Sequence, residues 1–303
     1  MKKHGTDSTI CHALTVDVED YFQVSGFENR VLRKQWDQYE SRVEANTDRL
    51  LSSFDLHEVR GTFFVLGWVA ERYPALVKRI AKAGHEIASH GYWHRLVYDI
   101  SEEEFARDLV DSKDAIHNAC GVETTAYRAP SFSIVEKSLW ALDILIEHGF
   151  TQDSSIFPIS GHDRYGIADA KREIHVIERR SGSIEEFPPS LAHVMGVKVP
   201  VGGGYFRLLP QALTSMAIAK IENERRPAMF YIHPWEVDPQ QPRVDDIGRM
   251  NRFRHYVGLA STQSKLSRLI SNHKFGTVAD SIRSHWGDGR KPQLAPDSNT
   301  VAV

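Results

Sequence analysis

Short apolar strands alternate with amphipathic helices along most of this chain, and this alternation limits what it can fold into. Strand-like apolar segments lie at residues 10–20, 60–67, 85–90, 124–130, 150–155 and 227–236. Helical periodicity marks residues 44–57, 71–84, 101–121, 136–149, 210–226 and 255–273. Such alternation is typical of parallel sheets with helical crossovers. The sequence therefore predicts an α/β fold built on a parallel sheet or barrel.

Polar side chains that could take part in catalysis or metal binding follow the predicted strand ends. They are Asp17, His90, Arg128, Asp153 and His233. In a β/α barrel, the carboxyl ends of the strands form one rim, where active sites are built. We therefore expect these five side chains to lie close together.

Composition excludes several classes of function. The chain has 303 residues, of which 41% are hydrophobic and 25% charged, an ordinary globular balance. Its net charge of −3 does not indicate the excess of basic residues that is typical of nucleic-acid-binding proteins. We expect no integral membrane segment, because no run approaches about 20 apolar residues. The N-terminus lacks the apolar core of a signal peptide, which predicts a cytoplasmic protein. The sequence is compatible with a homo-oligomer.

The stretch "SHGYWH" holds a pair of histidines separated by three residues, His90 and His94. In a tight turn this spacing puts both rings within reach of one metal ion. His85, upstream in the same segment, points to the opposite face of an extended strand, so we expect it to be structural. A third ligand should be a carboxylate on a neighbouring strand end. The stretch "TVDVED" offers Asp17, Glu19 and Asp20.

Two further side chains suit acid–base chemistry. His233, in "YIHPWE", follows an apolar strand, and its ordinary pKa lies near working pH, as a general acid requires. Arg128, in "YRAPSF", has apolar neighbours, so its guanidinium should be partly buried and need an anionic partner.

Together these motifs resemble the polysaccharide deacetylases, the NodB-homology family also called carbohydrate esterase family 4. The matching motifs read "TVDVED", "SHGYWH", "RAP", "QDSS" and "YIH", in the family's order, and the resemblance runs from about residue 10 to residue 280. The phrases "DVEDYFQVSGFE" and "VGGGYFR" are similar to one branch, linked to exopolysaccharide and exosortase (PEP-CTERM) gene clusters.

The resemblance implies a distorted (β/α)7 barrel with one divalent metal ion, most often zinc, with cobalt, manganese or nickel as alternatives. It makes Asp17 the catalytic base and His233 the general acid. Arg128 would hold Asp17, and Asp153 would tune the histidine. His90 and His94 would bind the metal.

The first motif departs from the family pattern of two adjacent aspartates, because Val18 and Glu19 follow Asp17 here. Strand alternation would place Glu19 beside Asp17, whereas a turn after Val18 would bring in Asp20. We favour Glu19 as the third ligand and leave Asp20 open.

We also expect one domain of this type over residues 10–286. Its part from about residue 200 would be a branch-specific extension of the barrel. An N-terminal tail would occupy residues 1–9 and a disordered tail residues 287–303. The stretch "GGGYF" at 202–206 is interpreted as a flexible rim loop. A sugar groove would be lined by Tyr92, Trp93, Pro130, Phe206 and Trp235.

The function implied is removal of N-acetyl groups from N-acetylhexosamine residues of a polysaccharide, or of its lipid-linked precursor, in exopolysaccharide biosynthesis. Two alternatives remain open at this stage. The same barrel could hydrolyse small cyclic amides or ureides, or the protein could be a catalytically silent sugar-binding module.

Overall fold

The computed structural model of the protein describes residues 10–160 and 165–287. The predicted tail at 1–9 and all but Gly287 of the predicted tail at 287–303 lie outside these ranges. Within them, no helix is both long and apolar enough to cross a bilayer.

Eleven strands are present in the described residues. They are β1 (His12–Val18), β2 (Thr62–Val65), β3 (Glu86–Ser89), β4 (Ala126–Tyr127), β5 (Gln152–Asp153), β6 (His175–Arg179), β7 (Gly182–Glu186), β8 (Leu191–Val194), β9 (Val197–Pro200), β10 (Met229–Ile232) and β11 (Phe275–Gly276). The ten α-helices there are α1 (Val43–Leu56), α2 (Gly67–Arg72), α3 (Pro74–Lys82), α4 (Glu102–Cys120), α5 (Trp140–Glu147), α6 (Gly203–Leu208), α7 (Gln211–Asn223), α8 (Arg249–Tyr256), α9 (Leu259–Asn272) and α10 (Val278–Trp286).

Seven parallel strands form the wall of the barrel, in the order β10-β1-β2-β3-β4-β5-β7. β6 adds to β7 in antiparallel fashion, and β11 pairs with the start of β1. No ladder joins β7 to β10 within the described ranges, so the barrel is open at this seam. The β8–β9 hairpin lies along the chain between these two strands, as does Gly202, which forms an isolated β-bridge with Tyr231 of β10. The predicted distorted (β/α)7 barrel is confirmed.

Local sequence signals explain where the elements begin and end. β1 is buried at every position, as a strand covered on both faces requires. α4 begins at a capping box formed by Ser101 and Glu104 and ends at Gly121, whose φ of +75° favours glycine. The helix predicted at 71–84 is divided in two, because Pro74 starts a new helix. The main core packs apolar helix faces against the barrel, with Phe63 and Phe230 among its fully buried members.

The register between neighbouring strands places the candidate site residues at the same height on the carboxyl rim of the barrel. Ser89 pairs with Tyr127, so the next residues, His90 and Arg128, leave their strands side by side. Val16 pairs with Ile232, which places Asp17 level with His233. The rim predicted from the sequence is therefore formed by parallel register.

Candidate metal and acid–base site

One group of metal-capable side chains lies at the carboxyl rim. Ligand atoms of Glu19, His90 and His94 are all within 4.8 Å of one another, and all three residues are buried. His90 Nδ1 lies 2.8 Å from the carbonyl oxygen of Arg128 and must donate to it, which leaves the lone pair on Nε2 facing the group. Burial, partly offset by Asp17, lowers the pKa of His90 to about 4, so the ring is neutral, as a metal ligand must be. Two imidazoles and a carboxylate suit a catalytic divalent ion.

Glu19, rather than Asp20, belongs to this group. Its Oε2 lies 2.7 Å from His94 Nε2, and its Oε1 accepts a hydrogen bond from the indole N–H of Trp235 at 3.1 Å. Burial would raise the pKa of Glu19, but the nearby His94, His233 and His90 outweigh it and lower the pKa, so the side chain is a carboxylate.

Asp20 turns away from the rim. Its Oδ2 accepts hydrogen bonds from Ser41 Oγ and from the backbone N–H groups of Arg42 and Val43, at 2.7–3.0 Å. Its Oδ1 accepts from the N–H of Tyr21. The structure therefore places Asp20 outside the metal group, where it satisfies backbone donors at the start of α1.

A second cluster with metal-capable side chains, His12, Glu222 and His273, is at the opposite end of β1. His12 Nδ1 accepts the N–H of Ala228 at 2.9 Å, so the proton of the neutral ring is on Nε2. Nε2 donates it to Glu222 Oε1 at 2.9 Å. A nitrogen that carries a proton has no lone pair for a metal. Hydrogen bonds therefore explain why these side chains lie together, and no metal ion is needed.

Asp17 and Arg128 form a buried ion pair beside the metal group. Arg128 Nη1 donates to Asp17 Oδ1 at 2.6 Å and to Thr15 Oγ1 at 2.9 Å, and the guanidinium is completely buried. Its Nη2 donates to Ser154 Oγ. Arg128 thus fixes one carboxylate oxygen of Asp17 and leaves Oδ2 available as a base.

His233 faces Asp17 across the site. Its Nε2 lies 3.7 Å from Asp17 Oδ2 and 3.6 Å from Glu19 Oε1, and its Nδ1 lies 3.4 Å from Glu236 Oε1. Burial would lower the pKa of His233, but Glu19, Glu236 and Asp17 outweigh it and raise the pKa to about 9. The imidazole is therefore protonated at neutral pH and can act as an acid.

Glu236 was missed by the sequence interpretation. It is completely buried in the short 3-10 helix Pro234–Val237 that follows β10, and Arg207 Nε donates to its Oε1 at 3.1 Å. Arg207 is itself buried and donates to the carbonyl oxygens of His255 and Val257. The available signal was the spacing of "HPWE", which puts a carboxylate one helical turn after the histidine.

Asp153 lies beside Glu186 and not beside His233, which corrects its predicted role of tuning that histidine. It pairs in register with Glu186, and both are buried. Burial and Asp153 raise the pKa of Glu186 well above its ordinary value, and burial raises that of Asp153 to about 6. Burial thus favours the protonated form of Glu186, and the carboxyl group beside His233 is that of Glu236.

Four of the five predicted groove residues do not line the site. Gly91 and His94 adopt φ values of +72° and +51°, and this turn directs Tyr92 and Trp93 to a separate pocket beside α2 and α4. Pro130 is buried, and its neighbours Ser131 and Phe132 line the site instead.

Phe206 is also a correction. It is 1% exposed and packs on Phe230, with 4.9 Å between ring centroids, because the glycine-rich stretch begins α6 instead of forming a loop. A Cβ at Gly202 or Gly203 would lie 2.5 Å from the ring of Tyr231. The glycines thus permit close packing and do not provide a flexible rim.

Trp235 is the one predicted aromatic that does line the site. Its ring stacks between His233 and His255, with centroid distances of 5.2 and 4.2 Å. The pocket around it has a volume of about 400 Å³. It contains Asp17, the metal group and His233, and extends outward to α6 and α8.

Residues 30–152 match the family model described as "Polysaccharide deacetylase", and residues 154–283 match "Domain of unknown function (DUF3473)". A peptidoglycan-N-acetylglucosamine deacetylase from Bacillus cereus is 34% identical over 98 residues, which are 32% of this chain and 36% of that protein. A chitooligosaccharide deacetylase from Rhizobium leguminosarum bv. trifolii is 35% identical over 74 residues, 24% of this chain and 34% of that protein.

A crystal structure from Mycobacterium smegmatis, of a protein assigned to the polysaccharide deacetylases, shares the fold. It superimposes with a TM-score of 0.63 at 19% identity and covers 99% of this chain and 97% of that one. The matched stretches span about a third of the length of the two curated relatives. The domain at residues 30–152 is therefore similar to the polysaccharide deacetylases.

Proposed function

We propose that this protein is a metal-dependent N-deacetylase that acts on N-acetylhexosamine residues of a glycan or its lipid-linked precursor. One observation carries the proposal. Asp17 Oδ2 and His233 Nε2 face each other at 3.7 Å in the same pocket as the Glu19–His90–His94 group. A base, an acid and a ligand group in one pocket serve hydrolysis, whereas sugar binding alone requires none of them.

Four residues of the site have separate roles in the reaction. Asp17 accepts a proton from the water that attacks the acetamide carbonyl carbon, and Arg128 keeps the carboxylate oriented. The carbon–nitrogen bond then breaks as His233 protonates the departing nitrogen, which gives acetate and a free amino sugar. Glu236 holds the imidazole so that Nε2 carries its proton toward the substrate.

Glu19, His90 and His94 would hold the metal. A divalent cation there supplies Lewis-acid polarisation of the carbonyl group and of water. The donor set of two imidazoles and one carboxylate favours zinc, with cobalt, manganese or nickel as substitutes. The relatives act on peptidoglycan and chitooligosaccharides by their names, which supports an N-acetylated glycan as substrate. A role in exopolysaccharide biosynthesis and a cytoplasmic location remain predictions.

The test is acetate release from N-acetylglucosamine oligomers by the purified protein. We expect release that is abolished by a chelator and restored by zinc, with one metal ion bound per chain. Turnover of small cyclic imides without any release of acetate would refute the proposal. Sugar binding that survives chelation, with no turnover of either substrate, would also refute it and favour a binding module.

A further inference from the structure

The mouth of the site pocket is unusually apolar. Nine large hydrophobic side chains are exposed among the described residues, and three of them, Leu208, Met250 and Phe253, line this one pocket. Their exposed fractions are 49%, 61% and 52%. Exposed apolar side chains that gather beside a polar site mark a binding surface, whereas scattered ones need no explanation.

These three side chains belong to two helices that form one wall of the pocket, α6 and α8. The wall is held in place across the pocket, because the Asn251 side chain donates to the carbonyl oxygen of Gly26 at 2.9 Å. The apolar surface therefore has a fixed position relative to the site, and it continues the cavity that holds Asp17 and His233.

Several polar groups at this mouth already have protein partners. Asn251 is committed to Gly26, and the hydroxyl groups of Ser25 and Ser131 bond each other at 2.8 Å. Further sugar units would require free hydrogen-bonding groups here for their hydroxyls, whereas a hydrocarbon chain requires only apolar contact. Leu208 and Met250 are flexible aliphatic side chains, which suit a chain better than the flat face of a pyranose.

We propose that the surface formed by Leu208, Met250 and Phe253 binds a hydrocarbon chain attached to the sugar being deacetylated, so that the substrate is an amphiphilic glycolipid. This inference rests on the proposed function for the chemistry at the sugar. It narrows the substrate from N-acetylated glycans in general to those with a lipid aglycone.

The experiment compares the methyl and octyl β-glycosides of N-acetylglucosamine, both below the micelle concentration, with N-acetylglucosamine oligomers of increasing length. We expect kcat/KM for acetate release to be at least about 10-fold higher for the octyl than for the methyl glycoside, since each covered methylene group favours binding. Octyl and methyl values within about 2-fold of each other would overturn the inference, as would a rise with sugar length alone.

Met250→Ser and Phe253→Ser should lower the octyl-to-methyl ratio at least about 3-fold each. Met216→Ser is the matched control, because Met216 is 45% exposed on α7 and does not line the pocket; it should keep the ratio of the unmodified protein. The ratio is independent of the fraction of folded enzyme, so partial misfolding does not imitate the effect. An unchanged ratio in both pocket variants would overturn the inference.

If no glycoside releases acetate, the proposed function fails, and calorimetric binding of the same two glycosides decides the inference alone. Tighter binding of the octyl glycoside that Met250→Ser weakens would support the apolar surface. Equal binding of both glycosides would refute it.

Discussion

The indole N–H of Trp235 donates to Glu19 Oε1 at 3.1 Å, while the other carboxylate oxygen of Glu19 lies 2.7 Å from His94 Nε2. The longer side chain of glutamate thus joins two parts of the site with its two oxygens. Trp235 belongs to the segment that carries His233, and Glu19 to the strand end that carries Asp17. The indole fixes which oxygen of Glu19 faces the metal group.

Replacing Trp235 by phenylalanine should weaken metal binding about 10-fold, because the ring stack is kept while the hydrogen bond that orients Glu19 is lost. The measurement is the zinc Kd from competition with a chromophoric chelator. Trp140→Phe, on α5 and outside the pocket, should leave that Kd unchanged. An equal Kd for Trp235→Phe and the unmodified protein would show that the indole has no positioning role.

Substitution of Glu19 should affect metal binding, whereas substitution of Asp20 should affect the stability of the fold. Glu19→Gln removes a ligand and should reduce zinc affinity at least about 100-fold. Asp20→Ala should leave the metal stoichiometry at one but destabilise the fold by about 1 kcal/mol or more, since backbone donors at the start of α1 lose their acceptor. Metal analysis and thermal unfolding separate the two. Loss of metal in Asp20→Ala with an unchanged Tm would contradict this assignment.

Asp17→Asn should lower kcat for acetate release about 100- to 10,000-fold, because the amide cannot accept the proton from water. Zinc binding should persist, since Asp17 is not in the ligand group. We also expect a lower Tm, because the buried guanidinium of Arg128 loses its counter-charge. Steady-state kinetics on the zinc-loaded variant check the first expectation. A kcat within about 5-fold of the unmodified protein would exclude Asp17 as the base.

Glu236→Gln should move the alkaline limb of the pH–kcat/KM profile to lower pH by about one unit. The reason is that the Glu236 carboxylate helps to raise the pKa of His233 to about 9. Without that charge the pKa falls, and the imidazole loses its proton at a lower pH. The control is Glu224→Gln, at an exposed carboxylate, whose profile should stay in place. A shift of the limb to higher pH would contradict the arrangement.

Glu186→Gln should make stability less dependent on pH. The pKa of Glu186 is raised in the folded protein, so its contribution is complete below the ordinary glutamate pKa and is lost as pH rises toward the folded value. At pH values above the folded-state pKa, each unit by which folding raises the pKa lowers the free energy of unfolding by about 1.4 kcal/mol. We therefore expect the Tm of the variant to exceed that of the unmodified protein at pH 8–9, by a few degrees, and to approach it near pH 5. A lower Tm of the variant at pH 9 would contradict the raised pKa of Glu186.

Much of the site could be predicted from the sequence because it depends on strand ends. Asp17 lies at the end of a buried parallel strand, and His90 and Arg128 directly follow two others, so parallel register places them together without knowledge of any loop. The same reasoning placed Glu19 beside Asp17, because side chains two residues apart share a face of a strand.

The remainder depends on turns that the sequence pattern does not encode. Tyr92 and Trp93 lie between the two histidines, yet positive φ values at Gly91 and His94 direct them to another pocket. The contact of Glu236 with His233 requires the short helix after Pro234. The run of glycines near Phe206 resembles a loop, and only the ring of Tyr231 packed against it explains why glycine is needed.

The open seam between β7 and β10 has a consequence for how such a barrel can change. The connection that crosses it, residues 187–228, contains α6 and therefore Leu208, one side of the apolar mouth. Because no backbone ladder joins the strands on either side of this connection, it can lengthen or shorten without shifting the register of the strands that hold Asp17, His90 and Arg128, and added loop length itself costs little free energy. A barrel with this gap can acquire a new pocket wall, and with it a new choice of substrate, while its catalytic strands stay as they are.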